Sequence, residues 1–148
     1  MTRYLVDTDV ISAIAPTKVV SRPELAQWME VHSSALFLSA VTVAEVADGI
    51  AKARREGATR KALRLSAWLK TVLHLYSDRV LPFDGPTAEI AGTLSDLARG
   101  RGHAPGLADI IIAATARRHA LTILSRNTRH FEAVDALVID PFQQLPAK

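Results

Sequence analysis

Short apolar runs alternate along the chain with longer stretches of helical periodicity. Tyr4-Leu5-Val6 is a continuous apolar run ending in Asp7, which predicts a buried strand with an acid at its C-terminal end. Thr8-Asp9 then suits the cap of a helix beginning at Val10-Ile11. After Arg22, with Pro23 in a first turn, Leu25, Trp28, Met29 and His32 fall at helical spacing. Leu36-Phe37-Leu38 reads as a second strand. The segment from Ser39 to Lys52 reads as a helix whose Val43, Val46, Ala47 and Ile50 form an apolar stripe. Gly57 separates it from a helix running to about Tyr76 through Leu65, Trp68, Leu69, Val72 and Leu75, so the pair forms a hairpin. Val80-Leu81-Pro82-Phe83 predicts a third strand, Asp84-Gly85-Pro86 a turn and Thr87 to Leu97 a helix. A loop with Gly100, Gly102, Pro105 and Gly106 precedes a helix from Leu107 to His119. Leu121 to Leu124 and Leu137 to Ile139 read as the fourth and fifth strands, the last stopped by Pro141.

Strands of nearly uniform apolar character, alternating with helices, predict an α/β fold with a mostly parallel sheet of four to five strands covered on both faces. No repeat, low-complexity tract or linker interrupts the 148 residues, so a single domain over 1–148 is expected. In such sheets ligands bind beyond the C-terminal strand ends. Acids fall at or near those ends: Asp7 after strand one, Glu45 in the helix after strand two, and Asp109 in the helix before strand four. Asn127 follows strand four.

Composition narrows the chemistry. Cysteine is absent, which excludes disulfides and thiolate metal sites and fits a reducing cytoplasm. Asp7 and Asp9 interrupt any apolar core of a secretory signal, and apolar stretches such as Ile110 to Ala116 fall short of the roughly 20 residues of a membrane span. A cytoplasmic protein without a membrane partner is the expectation. Lys+Arg exceed Asp+Glu by 18 to 15. Six basic residues cluster at Lys52, Arg54, Arg55, Arg60, Lys61 and Arg64, either as a solvated helix face or as a surface for an anionic polymer.

Carboxylates that meet at one rim repel one another unless protonated or neutralised by a cation. Oxygen donors without cysteine or a histidine cluster favour Mg²⁺ or Mn²⁺ over zinc, and such ions activate water and stabilise charge on a scissile phosphate. Each acid also has a structural reading: Asp7 or Asp9 as a helix cap, Glu45 as a solvent-facing helix residue, Asp109 as a first-turn acid favoured by the helix dipole.

Five blocks carry a resemblance: Tyr4 to Ser12, Leu38 to Val46 around Glu45, Val80 to Asp84, Leu107 to Ala116 around Asp109, and Leu124 to Phe131 around Asn127. In this order they resemble the PIN-domain toxins of VapBC type, in particular the FitB-like branch. The resemblance implies a three-layer α/β/α sandwich and an endoribonuclease dependent on Mg²⁺ or Mn²⁺. It implies neutralisation by a cognate antitoxin that pushes a segment into the active-site groove, and a homodimer within a larger complex. It assigns Asp7, Glu45 and Asp109 to the metal and Asn127 to the fourth catalytic position. Thr8 is a secondary candidate near the metal, and Ser125 and Arg126 near substrate phosphate.

Two departures stand out. Asp7-Thr8-Asp9 replaces the Asp-Thr-Asn of many relatives, and Asn127 stands where the fourth acid is often Asp. An amide binds a cation more weakly than a carboxylate. His130 beside Phe131 is read as a surface residue, because water activated by a metal requires no histidine base. Asp7-Thr8-Asp9 also resembles the opening of haloacid-dehalogenase-type phosphotransferases, but the lysine that class requires is missing: Lys70 is followed only by Lys148. A PIN-fold RNA-binding or regulatory module without turnover is the other alternative, with Asn127 as its support.

Overall fold

The computed structural model describes residues 1–16 and 22–147. The elements are β1 (Tyr4–Val6), α1 (Thr8–Ala13), α2 (Pro23–Val31), β2 (Leu36–Ser39), α3 (Ala40–Arg55), α4 (Thr59–Tyr76), β3 (Val80–Leu81), α5 (Gly85–Gly100), α6 (Leu107–His119), β4 (Thr122–Leu124), α7 (Thr128–Glu132) and β5 (Val138–Ile139). All strand pairs are parallel and the sheet order is β3-β2-β1-β4-β5. The central position of β1 follows from its pattern: Tyr4, Leu5 and Val6 are all buried, as a strand covered on both faces requires.

Alternation along β1 divides the core. Tyr4 and Val6 pack with Val10, Ile11, Leu25, Trp28, Met29, Val72 and Tyr76, under α1, α2 and α4. Leu5 packs with Ala91, Leu94, Ala98, Ile110, Ala113 and Phe131, under α5, α6 and α7. The result is the expected α/β/α sandwich. Helix α6 is buried at every position from Ile110 to Ala116, which its run of Ile and Ala permits by letting neighbouring helices approach closely. The far part of the α3–α4 hairpin has its own small core of Ile50, Ala53 and Ala62, and Gly57 at φ +84° makes the turn between the helices. The six basic residues of this hairpin are exposed around that turn. No helix among the described residues is long and apolar enough to cross a membrane.

Several boundaries differ from expectation. Helix α1 starts at Thr8 with Asp7 as its cap, because β1 ends at Val6 and Asp7 is already extended at φ −70°, ψ 160°. Strand β3 stops at Leu81, before Pro82, which has no N–H for the ladder. Asp84 is the cap of α5, accepting from the Thr87 N–H and hydroxyl and pairing with Arg118 of α6. The Arg118 guanidinium and the Thr87 hydroxyl hold its carboxyl well below the usual carboxylate range. The block Val80 to Asp84 therefore clamps α5 to α6 through this acid. Helix α7 was not expected.

Candidate active site

The parallel register builds the site. Val6 lies opposite Leu124, so the next residues, Asp7 and Ser125, emerge side by side at the C-terminal ends of β1 and β4. The Asp7 N–H donates to the Leu124 carbonyl at 3.0 Å, and the Ser125 N–H to the Ile139 carbonyl at 3.0 Å. The Ser125 hydroxyl, fully buried, donates to Asp7 Oδ2 at 2.6 Å, while the Thr8 N–H donates to Asp7 Oδ1 at 2.7 Å. Both oxygens of Asp7 are thus fixed in direction.

Glu45 arrives from the opposite side. Strand β2 ends at Ser39, whose hydroxyl accepts from the Val41 N–H and starts α3. Thr42 and Glu45 are three residues apart and share a face of that helix. The Thr8 hydroxyl lies 2.6 Å from Glu45 Oε1 and 3.2 Å from the Thr42 hydroxyl. A groove of about 210 Å³ adjoins this pair, lined in part by Thr8, Ser12, Glu45, Lys61 and Trp68. Asp109 sits in the first turn of α6, with His130 Nδ1 of α7 2.8 Å from its Oδ2.

Burial pushes the Asp7 carboxyl up to about 6, and the nearby charges of Asp9 and Asp109 add to this, against the hydrogen bonds from Ser125 and Thr8. Asp9 is also raised, first by burial, against the Arg126 N–H that donates to its Oδ2 at 2.9 Å. Asp9 Oδ1 is buried with no hydrogen-bond partner among the described residues. A buried acid strained by two neighbouring acids, together with an orphaned carboxylate oxygen, is the environment a hard divalent cation relieves. The donor set fits such an ion. Asp7, Glu45 and Asp109 offer carboxylate oxygens and Thr8 a hydroxyl, although no three His, Asp or Glu among the described residues already form a closed metal cage.

The remaining candidates fall into place unevenly. Asn127 is at the cap position of α7, its N–H donating to Ser125 Oγ at 2.9 Å and its side chain making no capping bond. Ser125 faces Asp7 rather than solvent, which makes it a positioning residue. The Arg126 guanidinium lies 4.3 Å from the Phe142 ring centroid, its Nε 3.9 Å from Asp9 Oδ2, so it is already engaged on the protein. His130 has a half-exposed side chain, as its surface reading implies, yet it touches Asp109. Asp9 lies in the first turn of α1 rather than at its cap and is the partner of Arg126. Neither the His130–Asp109 nor the Arg126–Asp9 contact is encoded in spacing along the chain; the sequence signals them only by placing His130 and Arg126 in the segment that follows β4.

A family model described as PIN domain matches residues 4–137. The chain is 34% identical over 142 residues to Toxin FitB of Neisseria gonorrhoeae, covering 93% of this chain and 97% of that protein. It is 34% identical over 142 residues to VapC ribonuclease Y4jK of Sinorhizobium fredii, covering 94% and 97%. Among solved structures, the crystal structure of FitAcB from Neisseria gonorrhoeae contains a chain matching at a TM-score of 0.81 and 34% identity, over 94% of this chain and 98% of that one. With a family match that begins at the first residue of β1 and ends one residue before β5, and relatives aligned over almost their whole length, this chain belongs to the PIN-domain family.

Proposed function

We propose that the chain is the toxin of a type II toxin–antitoxin pair, an endoribonuclease dependent on Mg²⁺ or Mn²⁺, restrained by a cognate antitoxin and working as a cytoplasmic homodimer. The observation that carries this reading is the buried Asp7 carboxylate at the β1–β4 seam, raised to about 6 and flanked by the Thr8–Glu45 and His130–Asp109 pairs. The toxin and ribonuclease names of the relatives support it.

Asp7, Glu45 and Asp109 would hold the metal, with Asn127 at the rim. When bound, the ion supplies Lewis-acid stabilisation of the scissile phosphate and acidifies the attacking water. Ser125 and the Thr8 N–H aim the two oxygens of Asp7, and the Thr8 hydroxyl holds Glu45 at the rim. The exposed basic residues of the α3–α4 hairpin bind the RNA backbone by charge, leaving sequence choice to contacts nearer the pit.

The test is cleavage of labelled total RNA by purified chain free of antitoxin, with Mg²⁺, with Mn²⁺ and with EDTA, beside Asp7→Asn. Discrete metal-dependent products that vanish in the variant are the expected result. RNA bound but uncut in every metal condition would replace the enzyme with a non-catalytic RNA-binding module, the reading favoured by the amide at Asn127.

A further inference from the structure

Next to Asp109, joined to it through His130, lies a second cleft of about 290 Å³ lined by His103, Ala104, Pro105, Arg129, His130 and Ala133. We infer that this cleft is a subsite for a backbone phosphate of the RNA strand next to the cleaved linkage, with Arg129 and His103 as its contact residues. The inference rests on the nuclease reading and adds to it a place where the strand leaves the acid pit.

The lining carries the argument. Three of the six residues, Arg129, His103 and His130, are basic, and none is acidic. Arg129 is exposed and forms no ion pair among the described residues, whereas Arg99, Arg101, Arg118 and Arg126 are each paired with a carboxylate. An uncommitted guanidinium at a polar cleft is the group that takes a phosphate through its planar fork. The cleft is also joined to the pit through one ring: His130 lines it while its Nδ1 bonds Asp109 Oδ2 at 2.8 Å. The same ring thus borders the cleft and contacts an acid of the pit. The opposite wall is set by the protein itself, since the His103 N–H donates to the Ala98 carbonyl at 2.8 Å and Pro105 has a fixed φ. An RNA strand needs holding on both sides of the scissile bond for its phosphate to stay aligned, and Lys61 of the hairpin lines a separate groove together with Glu45.

The experiment uses the full chain, free of antitoxin, and a fluorescein-labelled single-stranded RNA of mixed sequence about twelve nucleotides long. Binding is read by anisotropy in EDTA across a salt series, and turnover of the same RNA in Mg²⁺ or Mn²⁺. Arg129→Ala and His103→Ala are expected to weaken binding about three- to tenfold, and Arg129→Glu more. Arg129→Lys should recover most of the loss, and Arg99→Ala should behave as wild type. The slope of log affinity against log salt should fall by about 0.7 for the lost arginine contact. In turnover the loss should appear in KM, with kcat within about twofold, because the contact acts on substrate binding rather than on the metal. Thermal melts should coincide with wild type, since the side chains are exposed. Wild-type affinity, salt slope and KM in both alanine variants would overturn the subsite while leaving the nuclease reading intact. If the wild-type chain binds the RNA without cutting it, the nuclease reading falls and the anisotropy series alone decides the subsite. If wild type neither binds nor cuts the RNA, both fall; if it cuts without binding in EDTA, KM in the variants decides the subsite.

Discussion

The Ser125 hydroxyl donates to Asp7 Oδ2 at 2.6 Å across the seam between two strands that are 118 residues apart in sequence. Ser125 Oγ also accepts the Asn127 N–H, so one buried side chain orients the central acid and the start of α7 together. Ser125→Ala leaves Asp7 Oδ2 and the Asn127 N–H without their partner, at a cost of about 1–3 kcal/mol. It also removes a bond that lowers the Asp7 carboxyl, so that group moves further up. Melting temperature and a pH–rate profile check this. The expected outcome is a lower melting point and an acid limb shifted to higher pH; an unmoved limb would confine Ser125 to a packing role.

Asp7 sets a stability deficit in the metal-free chain. In the folded chain it titrates near 6, against an ordinary value of 3.8. Between those values the folded state holds a proton that the unfolded chain has released, so metal-free stability falls as pH rises from about 4 to about 6 and stays lower above it. At the full shift the deficit is at most about 3 kcal/mol. Asp7→Asn removes the buried charge. Metal-free denaturant unfolding at pH 7.5 should therefore find the variant more stable than wild type, with the fall between pH 4 and 6 gone. Mg²⁺ should raise the melting point of wild type alone. A variant less stable than wild type at every pH would refute the deficit.

The sheet and most helices were legible because their cause is local. Tyr4-Leu5-Val6 and Leu36-Phe37-Leu38 are apolar at every position, as strands covered on both faces must be, and α4 repeats its apolar residues at helical spacing. Helix α7 was not legible: its five residues, Thr128 to Glu132, contain one apolar side chain, Phe131, and one side chain has no period. That side chain decides its placement, because Phe131 is fully buried in the core under α5 and α6. Burying Phe131 carries the adjacent His130 to Asp109, a contact set by tertiary packing that spacing along the chain does not encode. That Asp7 and Glu45 come together at one end of the sheet follows from their places, after β1 and in the helix after β2. The bonds that aim them, from Ser125 and Thr8, depend on which strands are neighbours and in what register.

Thr8 links two walls of the pit by one hydroxyl, bonded to Glu45 and near Thr42. Thr8→Val keeps the shape and removes that hydroxyl, while the Thr8 N–H to Asp7 is retained. Glu45, which is exposed, then loses its only side-chain hydrogen bond among the described residues and samples more rotamers. The expected outcome is a severalfold higher Mg²⁺ concentration for half-maximal cleavage, with near wild-type kcat once metal saturates. Metal titrations of cleavage rate measure both. A fall in kcat that saturating Mg²⁺ does not restore would mean that the hydroxyl acts on substrate instead of on Glu45.

Asn127 is the position where an amide stands in place of the acid expected by resemblance. Its backbone is fixed by the bond to Ser125 Oγ, while its exposed side chain makes no capping bond. A carboxylate at this place adds a formal negative charge to a rim that already holds Asp7, Asp9 and Asp109, which raises repulsion in the metal-free chain and attraction for a divalent ion. Asn127→Asp should therefore lower the metal-free melting point slightly and tighten Mg²⁺ binding severalfold, with a matching gain in cleavage at limiting metal. Calorimetric titration with Mg²⁺ and melts with and without the ion separate the two effects. Affinity equal to wild type would remove Asn127 from the proposed metal site.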